Sequence, residues 1–123
     1  MSDAGIAVLK GATLASIQGA EKGSERISFK TDDGREFVMF HHQDCCEGVA
    51  VEEVIGDIDD LIGSPIVEAD ESTTRGEPTP SEYAESWTWT FYKLGTAKGF
   101  VTLRWLGESN GYYAEDVSFE AAN

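Results

Sequence analysis

A chain of 123 residues, 41% hydrophobic and 11% aromatic, has the size of one domain and is too apolar to be wholly disordered. Its 9 basic and 23 acidic residues leave a net charge of −14, which argues against direct binding to nucleic acid or an anionic membrane, since both recruit Lys and Arg. No apolar run reaches the roughly 18 residues that a membrane-spanning helix needs, and Met1 to Ile6 lack the basic and apolar regions of a secretory leader, so a single cytoplasmic domain over residues 1–123 is expected.

In chain order, Ile6 to Gln18 is apolar and interrupted at Gly11, giving a short first element and then a strand over about 13–19. Arg26 to Lys30 alternates, with Ile27 and Phe29 on one face. Asp33-Gly34 is a hairpin turn signal, and Arg35 to Phe40 is the returning strand, so residues 13–42 read as a β-meander. Gly48 to Val54, rich in β-branched residues, is a further strand candidate. Asp57 can cap a short helix near 57–62, which Gly63 and Pro65 end. Pro65 to Asp70 is another strand candidate. Residues 70–82 carry no large apolar side chain, two prolines and one glycine, and are expected to be the most mobile internal segment.

Trp87 to Tyr92 is the clearest strand, with Trp87, Trp89 and Phe91 on one face, taken as a side of the core. Gly95 to Gly99 turns the chain into Phe100 to Leu106. A second turn at Gly107 to Gly111 leads to a returning strand over Tyr112 to Glu120, completing a second meander. The fold class expected is α+β: mainly antiparallel β-sheet in two meanders with one short helix.

The negative charge is uneven. Residues 44–85 hold 13 acidic residues and only one basic residue, Arg75, whereas each flank is within one charge of neutral. Such a segment serves solubility, docking to a basic partner surface or, least in keeping with its spacing, cation binding.

Two polar clusters stand out. The first, His41 to Glu47, holds both histidines and both cysteines of the chain within seven residues. A zinc site would need about four converging N or S ligands, yet adjacent Cys45 and Cys46 point apart in a regular strand. A thiol–imidazole nucleophile is opposed by Asp44 and Glu47, which favour the neutral thiol. The plain reading is a strand end that buries one cysteine and bonds its polar groups to backbone. A disulfide between neighbours is disfavoured, and a cytoplasmic chain would keep both thiols reduced.

The second cluster is Trp105 to Tyr113, in which Glu108, Ser109 and Asn110 sit in a glycine-flanked turn between aromatic strand ends. It is either a turn with structural glycines or a ligand platform. Sheet ends gather, so the two clusters are expected to meet, with His42, Asp44, Cys45, Cys46, Glu47, Glu108, Ser109, Asn110 and Tyr112 as candidate ligand-binding residues. No phosphate-binding loop, dinucleotide fingerprint, zinc-protease helix, calcium loop or nucleophile elbow is present, and no catalytic or metal-ligating residue is assigned.

The strings His42 to Glu47, Gly56 to Leu61, Trp87 to Lys93 and Gly107 to Tyr113 together resemble a small domain family of unknown function, seen mainly in phage and bacterial genomes. The resemblance runs from about Leu9 to Phe119. It implies a small accessory protein and carries no activity. A non-enzymatic, phage-encoded protein that binds a host protein with a basic surface is the function expected. A small, nucleotide-like ligand held by the two clusters is the first alternative, and a cysteine-dependent enzyme the second.

Overall fold

The computed structural model describes residues 5–122, so most of the N-terminal stretch read for a leader lies outside the described residues. Among the described residues, eight strands form two four-stranded antiparallel sheets. The first has the order β1 (Leu14–Gln18), β2 (Arg26–Thr31), β3 (Glu36–Phe40) and β8 (Ser118–Ala121). The second has the order β4 (Gly48–Ile55), β7 (Gly99–Ser109), β6 (Ser86–Thr96) and β5 (Glu68–Thr74). Among the described residues no helix is long and apolar enough to cross a membrane.

The sheets share one hydrophobic core. Alternate residues of the first, including Ile27, Phe29, Phe37, Met39 and Phe119, meet Val49, Val51, Tyr92, Leu94, Val101, Leu103 and Trp105 of the second. Burial of these apolar side chains is the main stabilising term. The Trp105 indole also reaches across to the Met39 sulfur at 3.2 Å.

Four sequence expectations change. The short helix near 57–62 is a single 3₁₀ turn, Ile58–Leu61, capped by the Asp57 carboxylate on the Asp59 N–H at 3.0 Å. Ile6–Leu9 is a second such turn. Only these two pieces are helical among the described residues; each buries apolar side chains against the sheets and ends within four residues.

The strand expected over Tyr112 to Glu120 is shorter and lies in the other sheet. Residues 110–117 cross over, and only Ser118–Ala121 is strand, paired with β3. The reason is lateral: β7 already has β6 on one edge and β4 on the other, leaving no free hydrogen-bonding edge. The crossing presses hard on the second sheet at Gly107, where a Cβ would stand 2.3 Å from the Glu115 carbonyl oxygen.

The face assignment of β6 is reversed. Thr90, Tyr92 and Leu94 face the core, opposite Trp105, Leu103 and Val101. Trp87, Trp89 and Phe91 lie on the outer face, and Trp89 is buried there by other means. Residues 75–85 form an arm across that face. The Trp89 indole donates to the Pro78 carbonyl at 2.7 Å and the Trp87 indole to Gly76 at 3.2 Å, while the Arg104 guanidinium lies 4.7 Å from the Trp89 ring centroid. Indole rings supply both apolar area and a donor, so they bury against a polar arm as readily as against a core.

The segment read as a loop over 70–82 is also revised. Its first part continues β5 to Thr74, in register with β6 as far as Trp89. The rest has no apolar residue to anchor it, but its carbonyls accept the two indole donors instead.

Candidate functional site

The site begins where β3 ends. Phe37 and Met39 face the core, and the same alternation carries His41 inward, where it is buried. One ring nitrogen, Nδ1, lies 2.6 Å from the Asp116 carbonyl oxygen and the other, Nε2, 2.7 Å from Glu47 Oε2. Both partners are oxygens, so the ring is held from both sides. It ties the β3 end, the 42–47 loop and the 110–117 crossover together.

Glu47 is as central as His41. Its carboxylate also accepts the backbone N–H groups of Asp44 at 2.8 Å and Cys45 at 2.9 Å. The His41 hydrogen bond lowers its pKa to about 2 against the opposing effect of burial, with the two backbone donors adding to the shift. Gln43 closes the loop from the other side, its amide nitrogen donating to the carbonyls of Glu47 at 2.6 Å and Cys45 at 3.1 Å.

Cys45 and Cys46 are joined in a disulfide between adjacent residues, which corrects the expectation of two separate thiols. The backbone bends at both residues, outside any strand, so their side chains do not alternate and both sulfurs lie on one side. Neither imidazole is bonded to sulfur. His42 turns outward, packs edge-on against Phe40 and bonds Glu120 on β8.

The second cluster is partly strand. β7 continues through Glu108 and Ser109, with Glu108 paired to Gly48 on one side and to Trp87 on the other. Ser109 donates to Glu115 Oε2 at 2.5 Å and accepts the Gly111 N–H at 2.9 Å; Asn110 accepts the Tyr112 N–H at 3.0 Å. Glu115 is buried and also accepts from Thr88 at 2.8 Å. Burial raises its pKa, but the hydroxyls of Ser109, Ser86 and Thr88, helped by the Arg75 charge, outweigh that and leave it below the usual value.

The two clusters line one open groove of about 740 Å³. Gln43, Cys46 and Glu47 contribute from the first, and Glu108, Ser109, Asn110 and Tyr113 from the second. The Gly48–Glu108 pairing brings them together, because it joins the start of β4 to the end of β7. Ala50 and Leu106 add apolar surface, and Tyr83, Ala84 and Glu85 of the arm form a further wall. Of the candidates read from the sequence, His42, Asp44, Cys45 and Tyr112 do not line the groove; Tyr112 is 88% exposed.

Five glutamates line it, Glu25, Glu47, Glu52, Glu85 and Glu108, and no Lys or Arg does. Glu47 is hydrogen-bonded to His41, and Lys22 stands 3.8 Å from Glu52 at the surface. The arrangement favours positive charge and hydrogen-bond donors in the groove.

Sequence reasoning missed His41, Glu115 and the arm as parts of this site. His41 was findable, since it continues the period-two pattern of Phe37 and Met39. Glu115 sits at the period-two position between Tyr113 and the buried Val117, the signal of a buried carboxylate that needs partners. Nothing local marks residues 83–85 as a groove wall.

Residues 8–119 match a family described as a domain of unknown function, DUF7448, and the chain belongs to that family. No curated protein and no solved structure matches the chain.

Proposed function

We propose that this is a non-enzymatic accessory protein, encoded by phage or bacteria, that works by holding a basic segment of a host protein in the shared groove. The observation that carries this reading is the lining: five glutamate residues and no Lys or Arg around about 740 Å³, with tyrosines on the walls and Leu106 among the apolar residues. Arg and Lys side chains match such a surface through charge, donors and their apolar stems. The acidic segment 44–85, which supplies most of these residues, extends the field and speeds encounter with a basic partner.

The small-ligand reading shares the groove and is supported by the meeting of the two clusters. The carboxylates there oppose phosphate, so they favour a cationic or uncharged ligand over a nucleotide.

The test is titration with an octa-arginine peptide, against an octa-glutamate control, at low and physiological salt. Saturable binding that weakens with salt is expected, and the double variant Glu85→Gln, Glu108→Gln should weaken it about tenfold. Equal binding by wild type and the double variant would overturn the groove as the docking site.

A further inference from the structure

The adjacent cysteines form a feature that basic-segment binding does not use. Both side chains are exposed, both sulfurs lie on one side of the 42–47 loop, and Cys46 lines the groove. The loop that presents them is fixed by contacts in which sulfur takes no part. Glu47 accepts the N–H groups of Asp44 and Cys45, Gln43 donates to the Cys45 and Glu47 carbonyls, and His41 anchors Glu47 from beneath. Opening the disulfide removes none of these bonds, so the two thiols stay side by side.

The surroundings decide what such a pair can hold. A zinc-like cation needs about four N or S donors. Here both nitrogens of His41 are engaged, His42 bonds Glu120, and no group of three or more potential ligands converges among the described residues. Nucleophilic chemistry is disfavoured by the same carboxylates that line the groove, which oppose a negative thiolate. An uncharged thiophile meets neither obstacle, because it condenses with two neutral thiols.

We propose that the reduced Cys45–Cys46 pair is a two-sulfur binding site for uncharged trivalent arsenic compounds. A phosphine with water opens the pair: the S–S bond breaks, phosphorus takes the water oxygen, and the two hydrogens of water go to the two sulfurs. An organoarsenic oxide then exchanges its As–O bonding for two As–S bonds. The oxygen leaves as water with the two thiol hydrogens, and no electron changes hands in this second step.

The test is a titration of the full chain, reduced with a water-soluble phosphine, with phenylarsine oxide, read by intact mass and by competition with a fluorescent arsenical. One arsenical per chain is expected, bound about tenfold more tightly than by the reduced peptide of residues 41–47, which has the same cysteines without the fold. Cys45→Ser and Cys46→Ser should each abolish it. Gln43→Ala, at an exposed position that leaves the core intact, should move the affinity towards that of the peptide. No adduct, an affinity equal to the peptide's, an unchanged affinity in Gln43→Ala, or binding retained by either serine variant would overturn the proposal.

Discussion

The two flanks of the groove are held in opposite ways. The 42–47 loop is bound by a buried His41–Glu47 pair and a ring of backbone hydrogen bonds centred on one carboxylate. The 75–85 arm has no buried charge; two indole donors and contact with the outer face of the second sheet hold it. The first kind of attachment is rigid, since removing either partner strands a buried polar group. The second kind loses one hydrogen bond at a time. A surface that must accept a varied partner is better served by one fixed wall and one adjustable wall than by two of either kind.

The largest effect should come from Glu47→Gln. It replaces the buried carboxylate that bonds the His41 ring and two backbone N–H groups with a weaker acceptor, so it should lower the thermal midpoint more than any substitution in the arm. The pH dependence has a definite sign. The Glu47 carboxyl is held at about 2 in the fold against a usual 4.5, so its stabilising effect is full above the unfolded value and fades as pH falls from about 4.5 towards 2. Glu115, also lowered, acts in the same direction. Acid unfolding of wild type followed by circular dichroism should be steep in that window and shallower in Glu47→Gln; equal slopes would show that the fixed wall does not depend on this charge.

Next in size is Gly107→Ala. A methyl group there meets the Glu115 carbonyl oxygen at 2.3 Å, a backbone atom that cannot swing aside as a flexible side chain can, so the crossover must move. A loss of about 1–3 kcal/mol in urea unfolding is expected, the range for overpacking. An unchanged midpoint would mean that the 110–117 segment is as compliant as the arm.

Trp89→Phe should be milder. It keeps an aromatic ring on the outer face and deletes the donor to Pro78, a loss of about 1 kcal/mol. Amide exchange should rise in residues 76–80 and stay constant in 41–47. Equal acceleration in both segments would erase the distinction between the walls.

The smallest effect on stability belongs to Tyr83→Ala. This side chain is 84% exposed, so the midpoint should move by less than about 0.5 kcal/mol while octa-arginine binding weakens. Unchanged binding would remove the arm from the docking surface.

Local pattern set a good part of this. Alternation located β2, β3, β6 and β7, because a strand with one face in a core repeats every two residues whatever it pairs with. The Asp33-Gly34 turn fixed the hairpin between β2 and β3, and Gly34 has the positive φ of 90° that such a turn requires. The composition of the two polar clusters, and the acidity of the middle third, were also legible without coordinates. Alternation names two faces and cannot say which is buried. On β6 the aromatic face was the natural choice for the core, yet the register with β7 put Tyr92 beside Leu103 and left Trp89 to the arm.

The same limit applies to the site. His41 and His42 are neighbours in sequence, but one turns into the core and the other to Glu120 on β8, the adjacent strand of the same sheet although it is distant in sequence. Chain order suggested that the last strand would return along β7, whereas the free edge it needed belonged to β3. The sequence by itself determined four of the strands, the turn between β2 and β3, the charge and the two clusters, because those follow from residue types at short spacing. The tertiary structure alone decided which faces meet, which histidine carries the Glu47 pair and that both clusters share one groove. Those depend on pairings such as Gly48 with Glu108, sixty residues apart along the chain, for which no local preference exists.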